Sequence, residues 1–328
     1  MEYRELGVTG LKASVVGLGT WVIGGWMWGG AEDRESLAAI RRAIELGVNL
    51  IDTAPIYGHG RSEELVGRAV AESGQRDRLI LATKVGLEWD EARTRVWRNS
   101  GRARILREVE ESLRRLRTGV IDLYQVHWPN PATPFEETME TLVAVQRQGK
   151  IRFIGLSNFT QAQVEQCRAV GPVHVLQPPF NLFERAAQET GLLDFCQTRR
   201  IGALIYSPLC RGLLSGKYRG TETFTEGDVR RLDPKFQGER FRDYVACTDR
   251  LATVAKRRGK TVGQLAVRWC LDQRGVTVAL CGARRPEQIE ENVGAADWRL
   301  TAEEQQEINR IVAEAVPTPV GPEFMGPP

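Results

Sequence analysis

Residues 121–158, IDLYQVHWPNPATPFEETMETLVAVQRQGKIRFIGLSN, hold one complete strand–helix–strand unit. Ile121 to Val126 is an apolar run of strand length, 134–148 carries apolar side chains at helical spacing, and Arg152 to Leu156 is apolar again before Ser157 and Asn158. Two strands joined by a crossing helix run parallel. The unit recurs in both directions along the chain. Strand candidates precede it at Val15 to Leu18, Asn49 to Asp52 and Leu79 to Lys84, and follow it at His174 to Gln177, Ala203 to Tyr206 and Thr277 to Leu280. Helical patterns fall at 34–46, 62–73, 101–117, 160–169, 186–199, 244–258, 262–272, 286–293 and 302–315. Eight strands, each followed by helix, with no Pro/Gly/Ser linker and no break in composition, predict an α/β fold over 1–328. The expected form is one closed (β/α)8 TIM barrel rather than two doubly wound halves. An N-terminal β-hairpin (1–15), additional helices, a polar inserted loop after the seventh strand (221–242) and a Pro-rich tail (316–328) complete the expectation.

The 328 residues are 42% hydrophobic and 27% charged, which excludes disordered and collagen-like chains. The 45 basic and 42 acidic residues nearly cancel and alternate in sequence, as from Arg102 to Arg117, so no basic stripe points to nucleic acid. Only seven of the basic residues are lysines. A lysine inside an apolar strand is therefore conspicuous. The six cysteines form no Cys-x-x-Cys pair and no signal peptide precedes them, so free thiols and a cytoplasmic location are expected. No apolar run is long enough to span a membrane. His59, His127 and His174 share no ligand spacing with cysteine or carboxylate, so no metal site is expected.

Gly17-Leu18-Gly19 follows a strand, but the third glycine of a dinucleotide-binding fingerprint would fall at Val22, and the fingerprint fails. The loop that follows, GTWVIGGWMWGG, carries Trp21, Trp26 and Trp28. Three indoles in one loop either wall a pocket or pack on a neighbouring loop.

Polar residues close the successive strands: Asp52, Lys84, His127, Ser157 with Asn158, Gln177, and Tyr206 with Ser207. Each alone has a structural explanation, such as a turn cap or an ion pair. In a barrel, however, these strand ends meet on one face, where active sites of this architecture lie. Tyr57 lies five residues beyond Asp52 on a Pro/Gly loop. A phenol, with an ordinary pKa near 10, needs a neighbouring cation or relay to act near neutrality. Lys84 supplies such a cation, Asp52 a counter-charge for it, and His127 a group to position a carbonyl oxygen or share the proton. The set fits proton donation to a carbonyl while another group delivers hydride.

These motifs resemble the aldo-keto reductase superfamily, barrel enzymes that bind a nicotinamide cofactor without a Rossmann fold. The matching stretches are Asp52 to Gly58, Ala82 to Lys84, Ile121 to Pro129, Lys150 to Phe159, and Tyr206 to Leu209 with Arg211 to Leu214. Among subgroups, the loop Gly25 to Gly30, the segment Gln177 to Arg185 and the ending Val320 to Met325 are similar to bacterial general-stress aldo-keto reductases. The resemblance implies Tyr57 as general acid, Lys84 and Asp52 as its tuning pair, and His127 as the residue orienting the carbonyl. It implies Ser157, Asn158 and Gln177 on the nicotinamide carboxamide, and Tyr206 stacked on the ring. Ser207, Leu209, Arg211, Gly212 and Leu213 then surround the pyrophosphate, and Gly282, Ala283, Arg284, Gln288 and Asn292 the adenosine end. Two arginines (Arg284, Arg285) at a helix start favour a 2′-phosphate, hence NADP(H). Phe180, where relatives often carry Tyr, and Cys281 depart from the pattern beside the cofactor positions.

Trp21, Trp26, Trp28, Trp89 and Trp128 are expected to line a pocket for a small aldehyde or ketone. The tail is either a frayed terminus or a flap over that pocket, and the resemblance favours the flap. The expected partner set is that substrate alone, with a monomeric chain. Two other readings use the same residues: an accessory subunit sensing its cofactor, resembling potassium-channel β subunits, and an aldolase forming a Schiff base on Lys84.

Overall fold

The eight apolar runs pair in parallel and close on themselves in a computed structural model that describes residues 1–327. In chain order the strands are β1 (Tyr3–Glu5), β2 (Lys12–Ser14), β3 (Val16–Gly19), β4 (Leu50–Asp52), β5 (Ile80–Val85) and β6 (Leu87–Trp89). They continue as β7 (Val96–Arg98), β8 (Ile121–Val126), β9 (Ile151–Ser157), β10 (Val175–Gln177), β11 (Gly202–Tyr206) and β12 (Val278–Gly282). The barrel runs β3-β4-β5-β8-β9-β10-β11-β12 and closes where Ala279 of β12 pairs with Val16 of β3. This is the (β/α)8 architecture expected from the alternation.

The hairpin β1–β2 plugs the N-terminal mouth. Leu6 and Ala13 are fully buried against Leu50, Ile80, Leu123, Val175, Leu204 and Val278, residues supplied by six of the barrel strands. That end is thereby a packed core, and the open face is the opposite one. The surrounding helices start where short polar residues cap them, with complete capping boxes at Thr160/Gln163, Thr261/Gln264 and Thr301/Glu304.

The expected helix at 186–199 is two pieces, Ala186–Glu189 and Leu192–Arg199, because Gly191 takes a left-handed conformation (φ 75°) between them. The short ribbon β6–β7, in the loop after the third barrel strand, was not apparent from the sequence pattern. The inserted segment 221–242 is not simply a polar loop. It holds the 3-10 turns Val229–Arg231 and Pro234–Phe236, and the helix expected at 244 already begins with Gly238. Phe224, Phe236 and Phe241 pack around Tyr218, and Asp233 and Lys235 are fully buried.

The tail is ordered through Pro327, with a 3-10 turn at Glu323–Met325; only the last residue of the expected 316–328 segment lies outside the described residues. Hydrogen bonds hold it: Tyr244 Oη accepts from Val320 N (3.0 Å), Lys235 Nζ donates to the Gly321 carbonyl (3.2 Å), Arg98 Nε to that of Pro327 (2.7 Å), and Arg211 to Met325 Sδ (3.7 Å). All six cysteines are buried free thiols, and burial pushes Cys167, Cys196, Cys247 and Cys281 up to about 12. Among the described residues no helix is long and apolar enough to cross a membrane, and no His/Cys/Asp/Glu group could hold a metal ion.

Candidate active site

The C-terminal strand ends open into a cavity of about 1080 Å³, at the upper end of the range for small-molecule sites. At its floor β4 ends in Asp52 and β5 in the stretch holding Lys84. Lys84 is fully buried, and its ammonium donates to Asp52 Oδ2 (2.6 Å), to the Thr53 carbonyl (3.1 Å) and to Tyr57 Oη (3.3 Å). All three of its protons are thereby committed. An amine so saturated is not available as a Schiff-base nucleophile.

Two contacts fix the Tyr57 loop. Thr20 Oγ1 donates to the Asp52 carbonyl (2.9 Å), anchoring the segment after β3 to the end of β4. Gly24 lies so close to the Tyr57 backbone that a Cβ there would sit 2.4 Å from the Tyr57 carbonyl carbon. Only glycine permits this approach. The Tyr57 ring stacks on Trp21 (6.1 Å, 23°) and meets His127 edge-on (5.8 Å, 82°).

Burial is the largest influence on the charges of the site. Burial, and then the Asp52 carboxylate, push the Tyr57 phenol well above its ordinary value. Asp52, at 2.6 Å from the Lys84 ammonium, offsets much of the charge that would otherwise lower the phenol. Burial lowers Lys84 itself, while Asp52 opposes that shift. Burial, with Lys84 adding to it, depresses His127 well below the usual imidazole value, so the ring is neutral near pH 7.

Around the floor runs a connected polar network. Ser157 Oγ donates to the Gln177 carbonyl (2.9 Å), Asn158 Nδ2 to the His127 carbonyl (2.9 Å), and Tyr206 Oη to Asn158 Oδ1 (2.8 Å). Gln177 Nε2 donates to Asp52 Oδ1 (2.8 Å). Ser207, Leu209 and Gly212 line the next part of the cavity, and Gly282, Arg284, Gln288 and Asn292 its far end. There Arg284 N donates to Gln288 Oε1 (2.9 Å) beside the helix Pro286–Val293.

Several expected positions lie elsewhere. Leu213 and Ala283 are core residues, fully or almost fully buried, and do not reach the cavity. Trp89 packs behind the cavity wall, edge-on to His59 (5.3 Å) and beneath the Arg104 guanidinium (5.1 Å). Trp97 of β7 lines the mouth instead, beside Trp21, Trp26, Trp28 and Trp128. Phe180 stacks on Trp269 in the core, so that departure from the family pattern does not touch the cavity.

Arg211 borders the cavity, but its guanidinium is not free for a phosphate. It is bonded to Glu184 and to Asp233 (2.7 Å), and Lys235 completes a buried quartet through Glu184 (2.9 Å) and Asp233 (3.4 Å). Burial would raise Glu184, but Arg211 and Lys235 together hold it below the ordinary carboxylate range. Phe324 of the tail lies over both cations, 5.3 Å from Arg211 and 5.8 Å from Lys235. Phe324 and Met325 in turn form cavity wall.

Positive charge at the cavity comes instead from a residue that the sequence pattern did not single out. Lys217 lines the cavity beside Arg284, and Arg230 next to them is bonded to Asp228 (2.8 Å from Nε) and to Tyr218 Oη (2.6 Å). Lys217 forms no ion pair among the described residues, and burial followed by Arg230, Arg284 and Arg285 lowers it below the usual lysine range. Cations held against one another beside small backbone segments fit an anionic ligand such as a dinucleotide pyrophosphate or 2′-phosphate. The scarcity of lysine was the signal that could have found Lys217.

With this geometry in place, comparison with known proteins defines the class. The model of the Aldo/keto reductase family matches residues 15–313. The chain belongs to that family; it is an oxidoreductase of carbonyl reduction with a nicotinamide cofactor. It is 50% identical to Aldo-keto reductase YhdN of Bacillus subtilis, covering 100% of this chain and 98% of that protein. It is 34% identical to the NADH-specific methylglyoxal reductase of Escherichia coli (96% and 99% covered). Among solved structures, the glycerol dehydrogenase AKR11B4 from Gluconobacter oxydans superposes with a TM-score of 0.88 at 46% identity, covering 99% and 98% of the two chains.

The quartet predicts the effect of Arg211→Met. Two buried carboxylates would be left with one cation, a change expected to cost about 3–5 kcal/mol. Denaturant unfolding measures it, and a loss below about 1 kcal/mol would contradict this account of the quartet.

Proposed function

We propose that the protein is an NADPH-dependent reductase of aldehydes and ketones in which Tyr57 is the general acid. The observation that carries this reading is the contact between the Lys84 ammonium and Tyr57 Oη at the cavity floor. Because Lys84 is the donor in that bond, the phenolic O–H is left to point at a substrate oxygen. The nicotinamide supplies the hydride that the carbonyl carbon accepts. As charge develops on the carbonyl oxygen, Tyr57 gives up its proton, and Lys84 stabilises the phenolate that remains. The raised phenol serves this role: it holds its proton until the transition state requires it. Neutral His127 holds the carbonyl oxygen through a ring N–H without competing to protonate it.

Ser157, Asn158 and Gln177 would hold the nicotinamide carboxamide, with Tyr206 beside the ring. Lys217 and Arg284 would face the phosphates, and this cationic end supports NADPH as the preferred cofactor. The outer cavity is walled by Trp21, Trp26, Trp28, Trp97, Trp128 and Phe324. Such a wall accepts carbonyls of varied shape, and the names of the relatives make methylglyoxal and the oxidation products of glycerol the first compounds to assay.

Tyr57→Phe is expected to lower kcat by about 10²–10⁴ while leaving NADPH affinity intact; undiminished reduction of a reactive aldehyde would refute the assignment. The shifts also fix the pH response. His127 lies below its ordinary value and Tyr57 above its own, so neither changes protonation between about pH 6.5 and 10. The acid limb of a stopped-flow kcat profile should therefore lie below about pH 6.5, and a limb centred at the usual imidazole value would show a charged His127. Fluorescence titration should find Arg284→Ala weakening NADPH binding by about tenfold, with little effect on NADH. Equal losses for the two would remove the argument for NADPH.

A further inference from the structure

Gln125 occupies the middle of β8 with no exposed surface and does not line the cavity. In register it lies between Lys84 on β5 and Gly155 on β9. Its Nε2 donates to Asp52 Oδ1 (3.0 Å), the same oxygen that accepts from Gln177 Nε2 (2.8 Å). Its Oε1 accepts from Gln177 Nε2 as well (3.2 Å). The orientation of both amides follows from this triangle. An ionised carboxylate can only accept, so each amide must turn its NH2 toward Asp52. Gln125 then has its oxygen left for Gln177, and Gln177 has its own oxygen left over, with the cavity beside it.

The barrel makes room for this side chain. A Cβ at Gly155 would sit 2.8 Å from Gln125 Cγ, and also 3.3 Å from Leu123 Cδ1 and from the Val175 carbonyl oxygen. Glycine at that strand position, where side chains pack tightest, leaves the volume that Gln125 fills.

We propose that Gln125 is a positioning residue of the reduction: it completes the hydrogen-bond shell of Asp52 and locks the Gln177 amide so that its oxygen faces the nicotinamide site. The inference rests on the carbonyl-reductase reading above and adds a link to it. Cofactor contact at Gln177 and charge on the Asp52–Lys84 pair become parts of one hydrogen-bonded unit. Three donors, Lys84, Gln125 and Gln177, stabilise the Asp52 anion. Removing one weakens the hydrogen-bond shell that holds the carboxylate.

Gln125→Met, close in volume and unable to hydrogen-bond in this way, is the main test, with Gln125→Glu as the second variant. With Gln125→Met the acid limb of the kcat profile should move up by about one pH unit, the scale of one charge-assisted hydrogen bond. NADPH affinity, read by fluorescence titration, should fall several-fold. Glutamate at the site sets a second carboxylate beside Asp52 and should move the limb at least as far. A merely structural role for Gln125 would lower activity equally at all pH values, with no movement of the limb. If Gln125→Met does not fold, as read by its thermal transition, the Gln125→Glu profile and titration decide. Wild-type limb position and NADPH affinity in the folded variants would overturn the inference. A wild-type protein that reduces no carbonyl would instead overturn the functional reading, and the NADPH titrations would still judge Gln125.

Discussion

A positive charge on a lysine with no exposed surface is the constraint around which this barrel is organised. Taking an ammonium out of water costs several kcal/mol, and the cost is recovered only when a counter-charge and hydrogen bonds replace the lost hydration. Asp52 supplies the charge at 2.6 Å, and the Thr53 carbonyl and Tyr57 hydroxyl take the remaining protons. Asp52 is itself buried and must be satisfied in turn, which draws in Gln125 and Gln177 from two further strands. The position of Tyr57 depends on the same chain, since its loop leaves β4 directly after Asp52 and is clamped against Gly24. Closure of the sheet is what brings β4, β5, β8 and β10 to one point.

A second group of buried charges sits a short distance away and has a different role. Arg211, Lys235, Glu184 and Asp233 neutralise one another, and their cations form the seat of Phe324. The backbone around Arg211 borders the proposed cofactor loop, while its side chain reaches the tail. One residue therefore belongs to both halves of the cavity. The first group forms the cavity floor around Tyr57 and the second supports its Phe324 wall.

Much of this was legible in the residues. Strand runs ending in a polar residue located the barrel and its open face, because a period of two or a short apolar run survives in any context. Asp52, Tyr57, Lys84 and His127 were visible as polar groups where a core would place none. Other features depend on what the chain meets after folding. Gln125 reads as an ordinary interior strand residue until Gly155 and Asp52 are seen beside it. Lys235 lies in a stretch whose charges suggest solvent, yet its partners Glu184 and Asp233 place it in the core. Trp89 and Trp97 differ only in which layer of a ribbon they join, and the pattern held no sign of that ribbon. The direction of the Tyr57 shift also required a distance: a cation lowers a phenol less when its charge is already offset.

The burial of every cysteine has a chemical consequence for an enzyme of reactive carbonyls. Aldehydes and dicarbonyls are electrophiles, and the thiolate is the protein nucleophile that attacks them most readily. A thiol pushed up to about 12, as at Cys281 and Cys167, is ionised in only about one molecule in 10⁵ at pH 7. Cys281 immediately precedes Gly282 of the cavity yet has no exposed surface of its own. The protein thus presents no accessible thiol to the carbonyl compounds proposed as its substrates, which closes that route of covalent addition.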